Sequence, residues 1–458
     1  MKIFWKGLKN MIEINPREVA SEGLYRIFEE QSFNNMVLKT LLKQNGAMAK
    51  NDKAFVTEIV NGTLRNIYYI DYVINEFSKT KTEKMKPWLL AVIRTAVYQI
   101  IFMDKVPASA ACNEAVKLAK LRGYGKLSGF VNGVLRNIAR NVENIKLPDY
   151  GTAEYLSVKY SHPLWLIKMW LHEYEYDFVK ELCESNNTAP DVTIAVNTLK
   201  TDRESLKKYL GSKGVSVEYG KYHKNALHIR KTSDISALEE FKNGLFHIQD
   251  ESSMTAVKIL EPKKGEKILD VCAAPGGKSL LCGEYMENDG LISSRDIYFH
   301  KIELIENSAK RLGIDIIEPC EKDALEFYDE DVEKFDRVIV DAPCSGFGII
   351  RKKPDIKFRR TGNDIDELIK IQRGILENAS KYVKKGGVLL YSTCTICKKE
   401  NIKNVEWFLE NFDFEAESIE NILPEGMKED RLGCVSLYPN VNGTDGFFIA
   451  RFRRKGNL

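Results

Sequence analysis

Two cysteines that end apolar runs stand out as residues able to do chemistry. Asp341-Ala342-Pro343-Cys344 follows Phe335–Val340, and Ser392-Thr393-Cys394 follows the strand-like Val388–Tyr391. A cysteine sulfur can add to an electron-poor carbon and leave again. A free thiol is only a few per cent thiolate at neutral pH, so electropositive neighbours have to help. The third feature is a loop, Cys272-Ala273-Ala274-Pro275-Gly276-Gly277-Lys278-Ser279, directly after the run Ile268–Val271. Small residues and glycines at a strand-to-helix turn let a ligand approach the backbone closely. It is not a Walker loop: the position five before Gly277 is Cys272, and Pro275 removes an amide donor. The dinucleotide pattern G-x-G-x-x-G is absent too. S-adenosylmethionine, a nucleoside without the phosphates, fits the loop better.

Acids mark the neighbouring strand ends. Asp296 lies about twenty residues past the glycines, where a carboxylate takes ribose hydroxyls. Asp323 follows the next apolar run and is placed to meet the adenine amino group, and Asp341 ends the run after that. A single aspartate at a strand end is more often a helix cap or turn residue than a ligand. Three at consecutive ends, beside the glycine loop, favour a site. Amino-methylating enzymes of such folds carry Asn/Asp-Pro-Pro-aromatic where this chain has Asp341-Ala342-Pro343-Cys344. With Cys394 nearby, the arrangement suits methylation at carbon. C5 of cytosine is a poor nucleophile until something adds at C6, and a thiolate can do so.

These residues need a scaffold of strand ends. From Lys267 onward strands at Ile268–Val271, Leu291–Asp296, Ile314–Glu318, Phe335–Asp341 and Val388–Ser392 alternate with helical stretches such as Ile302–Leu312 and Ile365–Val383. That alternation predicts a parallel, doubly wound α/β sheet of the Rossmann-like kind, with ligands beyond the carboxyl ends of the strands. Residues 1–145 read as helices throughout, with Trp88–Phe102 buried and Ala110–Leu121 and Gly129–Ala139 amphipathic, so an all-α bundle is expected. Pro148–Gly151 reads as a linker. Beyond it Pro163–Glu184 is helical, and Val192–Asn197, Ala226–Ile229 and Leu245–Ile248 read as strands of a small α+β module with a helix at Asp202–Tyr209. The expected domains are 1–147, 148–245 and 246–458.

The 458 residues, 44% of them hydrophobic, suffice for several packed cores. No run of ~18 apolar residues occurs and Met1–Ala20 has no uninterrupted apolar core. A cytoplasmic protein without a membrane partner is expected. The odd count of nine cysteines argues for a reducing compartment. The formal net charge of +3 conceals an asymmetry: +9 over residues 1–150, zero over 151–245 and −6 over 246–458. A basic N-terminal third suggests a polyanionic partner, although a solvated helical surface has the same composition.

In these blocks the chain resembles the RNA (cytosine-5) methyltransferase family. Cys272–Lys278, Asp341–Gly346, Tyr391–Cys394 and Arg351–Lys357 are similar to its signature segments, and Phe246–Ser253 is similar to the lead-in to its catalytic domain. Asn113–Val116 and Phe130–Leu135 resemble a NusB-like RNA-binding domain, and Ser161–Leu166 resembles the segment joining it to an RNA-facing middle module. This domain order resembles the bacterial type acting on small-subunit ribosomal RNA. The resemblance implies a methyl transfer from S-adenosylmethionine to C5 of a cytosine in 16S rRNA, cytosine 967 in the family. It implies Cys394 as the nucleophile toward C6 and Cys344 as the thiol assisting release. It further implies Cys272, Ala273, Ala274, Pro275, Gly276, Gly277, Lys278, Asp296, Asp323 and Asp341 as methyl-donor contacts, with Asp341 and Lys278 also polarising the cytosine ring. No metal and no obligate protein partner are implied. Phe347, where the family usually has Thr or Leu, and Arg295, before the ribose-binding acid, depart from its pattern.

Other readings of the same residues remain. Cys394-Thr395-Ile396-Cys397 is also a C-x-x-C, although no second pair completes a zinc site. Cys112, Cys183, Cys282, Cys320 and Cys434 read as core or surface thiols, and His162 as structural. The same chemistry on transfer RNA, or an RNA-binding assembly factor without activity, would use the same chain.

Overall fold

The computed structural model describes residues 14–230 and 235–456, so most of the Met1–Ala20 stretch lies outside the described residues. The chain forms two compact units. One holds the residues up to Asn187 together with Lys353–Phe358, and the other holds Thr188–Lys352 and the chain from Arg359 onward.

The first unit is helical. Its opening helix, Pro16–Glu29, starts as the sequence dictates: Asn15 caps it by accepting from the Arg17 amide, and Pro16 fills a position where no amide is needed. Helices Asn34–Gln44, Lys50–Arg65, Ile67–Phe77, Pro87–Phe102, Ala108–Leu121 and Ser128–Arg140 follow. Leu24, Ile27, Val56, Ile59 and Leu64 close one core, and Ile70, Val92, Val97, Leu118 and Leu135 another. Each such side chain contributes about 1.5–3 kcal/mol. The expected helix over Pro163–Glu184 is two, Leu164–Glu173 and Tyr176–Asn186, because Tyr174 adopts an extended backbone. His162 is fully buried against the Tyr160 carbonyl. Lys357 is only 1% exposed, its ammonium donating to the carbonyls of Arg65 and Ser161 and to Asn187 Oδ1 at 3.0, 2.9 and 2.8 Å. No described helix is long and apolar enough to cross a membrane.

The second unit contains two sheets. The smaller has strands β1 (Val192–Val196), β2 (Ser216–Tyr219), β3 (Ala226–Arg230) and β4 (Phe246–Ile248) in the antiparallel order β2-β3-β1-β4. The larger is built from β5 (Lys267–Asp270), β6 (Leu291–Asp296), β7 (Ile317–Glu321), β8 (Phe335–Asp341), β9 (Val383–Thr393), β10 (Phe414–Ala416), β11 (Cys434–Leu437) and β12 (Phe447–Arg454). Its order is β10-β12-β9-β8-β5-β6-β7, with β11 paired to β12.

Strands β5 to β9 are parallel, as expected, but β12 lies antiparallel to β9, so the sheet is mixed. The expected strand at Ile314–Glu318 is shifted to Ile317–Glu321. Gly313 ends the preceding helix in a left-handed conformation, and Ile314 is buried in the turn that follows. Strand β9 begins at Val383, earlier than its apolar run, where it pairs with Phe335 across an irregularity.

Candidate active site

The register of the parallel strands explains how distant residues meet. Asp341 of β8 lies opposite Ser392 of β9, so chain leaving both strands in the same direction carries Cys344 and Cys394 together beyond their carboxyl ends. Their sulfurs are 3.3 Å apart. The Gly348 amide donates to the Cys394 carbonyl and the Gly446 amide to the Gly348 carbonyl, tying the loop after β8 to the chains around it. A Cβ at Gly348 would lie 1.9 Å from the Gly446 carbonyl oxygen, so only glycine permits this approach.

Strand β5 is flanked by β8 and β6, which is where the order of the sheet reverses. The glycine loop leaves β5 at this point. Gly276 takes φ +103°, and helix Gly277–Tyr285 begins directly after it. Pro275 and Gly276 bring the chain round tightly: Gly276 donates to the Ala273 carbonyl at 2.7 Å, and Ala273 donates to Arg295 on β6. Ala274 and Cys272 are half-buried and pack against the two cores on either side of the sheet. Burial, reinforced by the Asp270, Asp341 and Asp296 carboxylates, raises the Cys272 thiol well above its usual value.

Lys278, 7% exposed, projects from that helix to Asp341, with Nζ 2.5 Å from one carboxylate oxygen. The other oxygen accepts from Ser392 Oγ at 2.8 Å. The ammonium also lies 5.0 Å from the Phe447 ring centroid. A cation, a carboxylate and two thiols are thus gathered at adjoining strand ends. Asp296 ends β6 and accepts from the Tyr298 amide and Lys301 Nζ. Asp323, two residues past β7, accepts from the Leu325 amide. Both acids therefore act in local turns at the carboxyl ends of β6 and β7.

Arg295 points to the face opposite its neighbour Asp296 and pairs with the buried Asp331 at 2.7 Å. The arginine at that position therefore forms its ion pair away from the Asp296 carboxylate. Phe347 is fully buried.

Burial and local charge distinguish Cys344. The hydrogen bond with Cys394, burial, and the Cys394, Glu400 and Asp341 charges all push its thiol well above the usual range. Cys397 of the C-x-x-C is fully buried. Among the described residues no group of three or more His, Cys, Asp or Glu side chains gathers as metal ligands do.

Two buried acids were missed by sequence reasoning. Asp270, 1% exposed at the end of β5, accepts from Ser279 Oγ at 2.8 Å, and burial pushes its carboxyl up to about 7. Its Oδ1 is an unpartnered buried atom beside the glycine loop, a polar group suited to a ligand bound there. Glu400, fully buried, contacts the residue after Cys344. In sequence it follows two lysines, at the start of a helix, and gave no signal beyond that of a solvated acid.

Comparison with known proteins gives consistent results. The family described as 16S rRNA methyltransferase RsmB/F matches residues 257–453, the NusB family residues 14–140, and an RsmF/B-like ferredoxin-like domain residues 162–236. A probable ribosomal RNA small subunit methyltransferase B of Bacillus subtilis is 39% identical over 97% of this chain and 100% of its own length. A protein of that name from Synechocystis is 32% identical over 96% and 100%. Among solved structures, PH0851 superposes with a TM-score of 0.82 at 28% identity, covering 97% of this chain and all of that one. A methyltransferase homologue from Pyrococcus horikoshii gives 0.56 at 30% identity, covering 65% of this chain and 97% of its own.

Proposed function

This chain belongs to the 16S rRNA methyltransferase RsmB/F family, and from that premise we propose that it methylates C5 of one cytosine in small-subunit rRNA through a covalent protein–RNA adduct. Membership carries the coarser statement, methylation of ribosomal RNA with S-adenosylmethionine as donor. The observation supporting the finer one is the 3.3 Å separation of the Cys344 and Cys394 sulfurs beside the Lys278–Asp341 pair. Methylation of an exocyclic amine needs no thiol, whereas attack at C6 and release from it give each sulfur a task.

The loop Cys272–Gly277 with Asp296 and Asp323 would hold the donor, which when bound supplies an electrophilic methyl group. Cys394, as thiolate, adds to C6 and makes C5 nucleophilic; Lys278 and Asp341 orient the ring and polarise it. C5 gains the methyl while still carrying its own proton. A base takes that proton, the C5–H electrons re-form the C5=C6 bond, and the C6–S bond breaks to expel Cys394 as thiolate. Cys344 assists this second half. The hydrogen bond with Cys394, together with burial and neighbouring charge, raises its thiol, and conversion of the Cys394 sulfur to a thioether alters that contact. The proton affinity of Cys344 therefore changes between the two halves of the reaction.

Two substitutions test the division of labour. Cys394→Ala should reduce methylation to the level without enzyme and leave no adduct on denaturing gels. Cys344→Ala should add and methylate but release slowly, accumulating an RNA–protein adduct. The reverse pattern would exchange the roles, and normal methylation by both variants would end the covalent reading. Bisulfite mapping of ribosomal and transfer RNA from a deletion strain identifies the nucleotide; cytosine 967 is the family expectation.

A further inference from the structure

Cys344 stands on the loop between Asp341 and Gly348, and a loop position does not by itself fix a side chain to the few tenths of an ångström that proton and sulfur transfer require. The anchor is Glu400. One carboxylate oxygen accepts from the Ser345 amide at 2.9 Å and from Gln372 Nε2 at 2.9 Å, and the other accepts from Ser345 Oγ at 2.5 Å. Gln372 Nε2 also donates to the Pro343 carbonyl at 3.0 Å. The residues on both sides of Cys344 are therefore held by one carboxylate, directly or through a single amide.

The support is itself supported. Asn404 Nδ2 donates to Gln372 Oε1 at 2.8 Å, and Tyr391 OH donates to the Glu400 carbonyl at 2.7 Å. Glu400, Gln372, Asn404, Thr395 and Tyr391 are all fully buried, and Ser345 is 1% exposed. Among the described residues no salt bridge reaches Glu400; its partners are neutral donors. A buried carboxylate with no cation is costly unless its hydrogen bonds are complete, and a neutral side chain would fill the same space without that cost. The geometry that an acceptor-only group imposes on the donors around Cys344 gives a reason for an acid here.

We propose that Glu400 is a positioning residue for the release half of the reaction: by fixing Pro343 and Ser345 it holds the Cys344 sulfur where the Cys394–C6 bond is broken. The proposal rests on the covalent reading above. Glu400 has a second effect of the same sense. After the hydrogen bond with Cys394 and burial, its charge is a further influence opposing ionisation of Cys344.

The test uses the full chain, small-subunit rRNA and methyl-labelled donor, comparing wild type with Glu400→Gln, Ser345→Ala and Cys344→Ala. Glu400→Gln should keep donor affinity and first-turnover methyl transfer within about twofold. Release should slow by roughly tenfold or more, the loss expected from hydrogen bonds to a charged group, so that methylated adduct accumulates. Adding Glu400→Gln to Cys344→Ala should slow release no further, since both act on one step. Ser345→Ala, which removes the hydroxyl contacts with Glu400 and Thr395 but keeps the amide one, should give a smaller delay of the same kind and serves if Glu400→Gln does not fold. Release at the wild-type rate in these variants, equal loss of methyl transfer and release, or additive delays in the double variant would each overturn the proposal.

A measurement without RNA separates it from the reading it rests on. In Glu400→Gln, alkylation of Cys344 in the free protein should shift to lower pH. An unmoved profile counts against Glu400 even if the covalent mechanism holds. If wild type forms no 5-methylcytosine, or both cysteine variants methylate normally, the covalent reading fails and the release role fails with it; if Cys344→Ala alone leaves no adduct, the release role fails while the covalent reading stands.

Discussion

Asp296 and Asp270 end neighbouring strands, yet substitution should affect them differently. Asp296→Ala should weaken binding of S-adenosylmethionine by ~1.5–3 kcal/mol, the worth of hydrogen bonds to a charged group, and calorimetry on the pure protein measures it. Unchanged affinity would leave the acid as the partner of Tyr298 and Lys301 alone. For Asp270 the expectation concerns pH. Its folded carboxyl is raised from 3.8 to about 7, so between those values the folded state keeps a proton that the unfolded chain has released. Stability is therefore lost as pH rises through that window, by at most ~1.4 kcal/mol per pH unit for one proton. Asp270→Asn removes the titration, and its melting temperature relative to wild type should climb from pH 5 to pH 8. A constant difference would mean that Asp270 is ionised throughout. Asp341 and Cys394 stood out in sequence because each closes an apolar run, and Cys344 because it follows Asp341 closely, whereas Lys278 was singled out only through the family resemblance. Asp270 and Glu400 did not stand out, since burial is what distinguishes them and no residue type reports it.

At the level of elements, β8 and β9 determine whether the thiols meet. A one-residue slip would turn Asp341 away from Ser392 and send the two loops to different places. Gly348 and Gly446 lock the loops once the strands have paired. Gly348→Ala should therefore cost ~1–3 kcal/mol of stability through overpacking and should lower methylation by more than the stability loss accounts for. Thermal melts and single-turnover rates on the same preparation check both, and an active, stable variant would show that the loops can part without consequence. Strands β6 and β8 could be read to the residue, each ended by an acid, β8 after an apolar run and β6 after a short Leu291-Ile292 pair and two serines. The β7 boundary was misplaced because Ile314 is apolar but packs in a turn. Strand β12 went unread: both faces are buried over most of its length, so Phe447–Arg454 shows no alternation, and nothing local announces that it returns antiparallel.

For the whole molecule, charge is unevenly distributed, and the structure refines which charges are available to RNA. Of the basic segment Arg351–Arg360, Lys357 is enclosed by three oxygens, and Arg351 and Lys352 are paired with Asp445, Lys352 also with Asp250. These side chains are already engaged with partners within the protein. Lys120, Lys126 and Arg136 in the basic N-terminal part are exposed. Converting all three to glutamate should lower the slope of log affinity against log salt by ~0.7–0.9 for each phosphate contact removed, with the melting temperature unchanged. Filter binding across a salt series measures it, and an unaltered slope would place the RNA elsewhere. The sheet also imposes an order in time. Gly446 holds Gly348, and β12 completes the partners of β9, although both belong to sequence made long after Cys344 and Cys394. A growing chain on its ribosome can fold its helices as they emerge. Gly348 and β9 lack these partners until Asp445–Arg454 has been translated, so the paired thiols are among the last features of the fold to be secured.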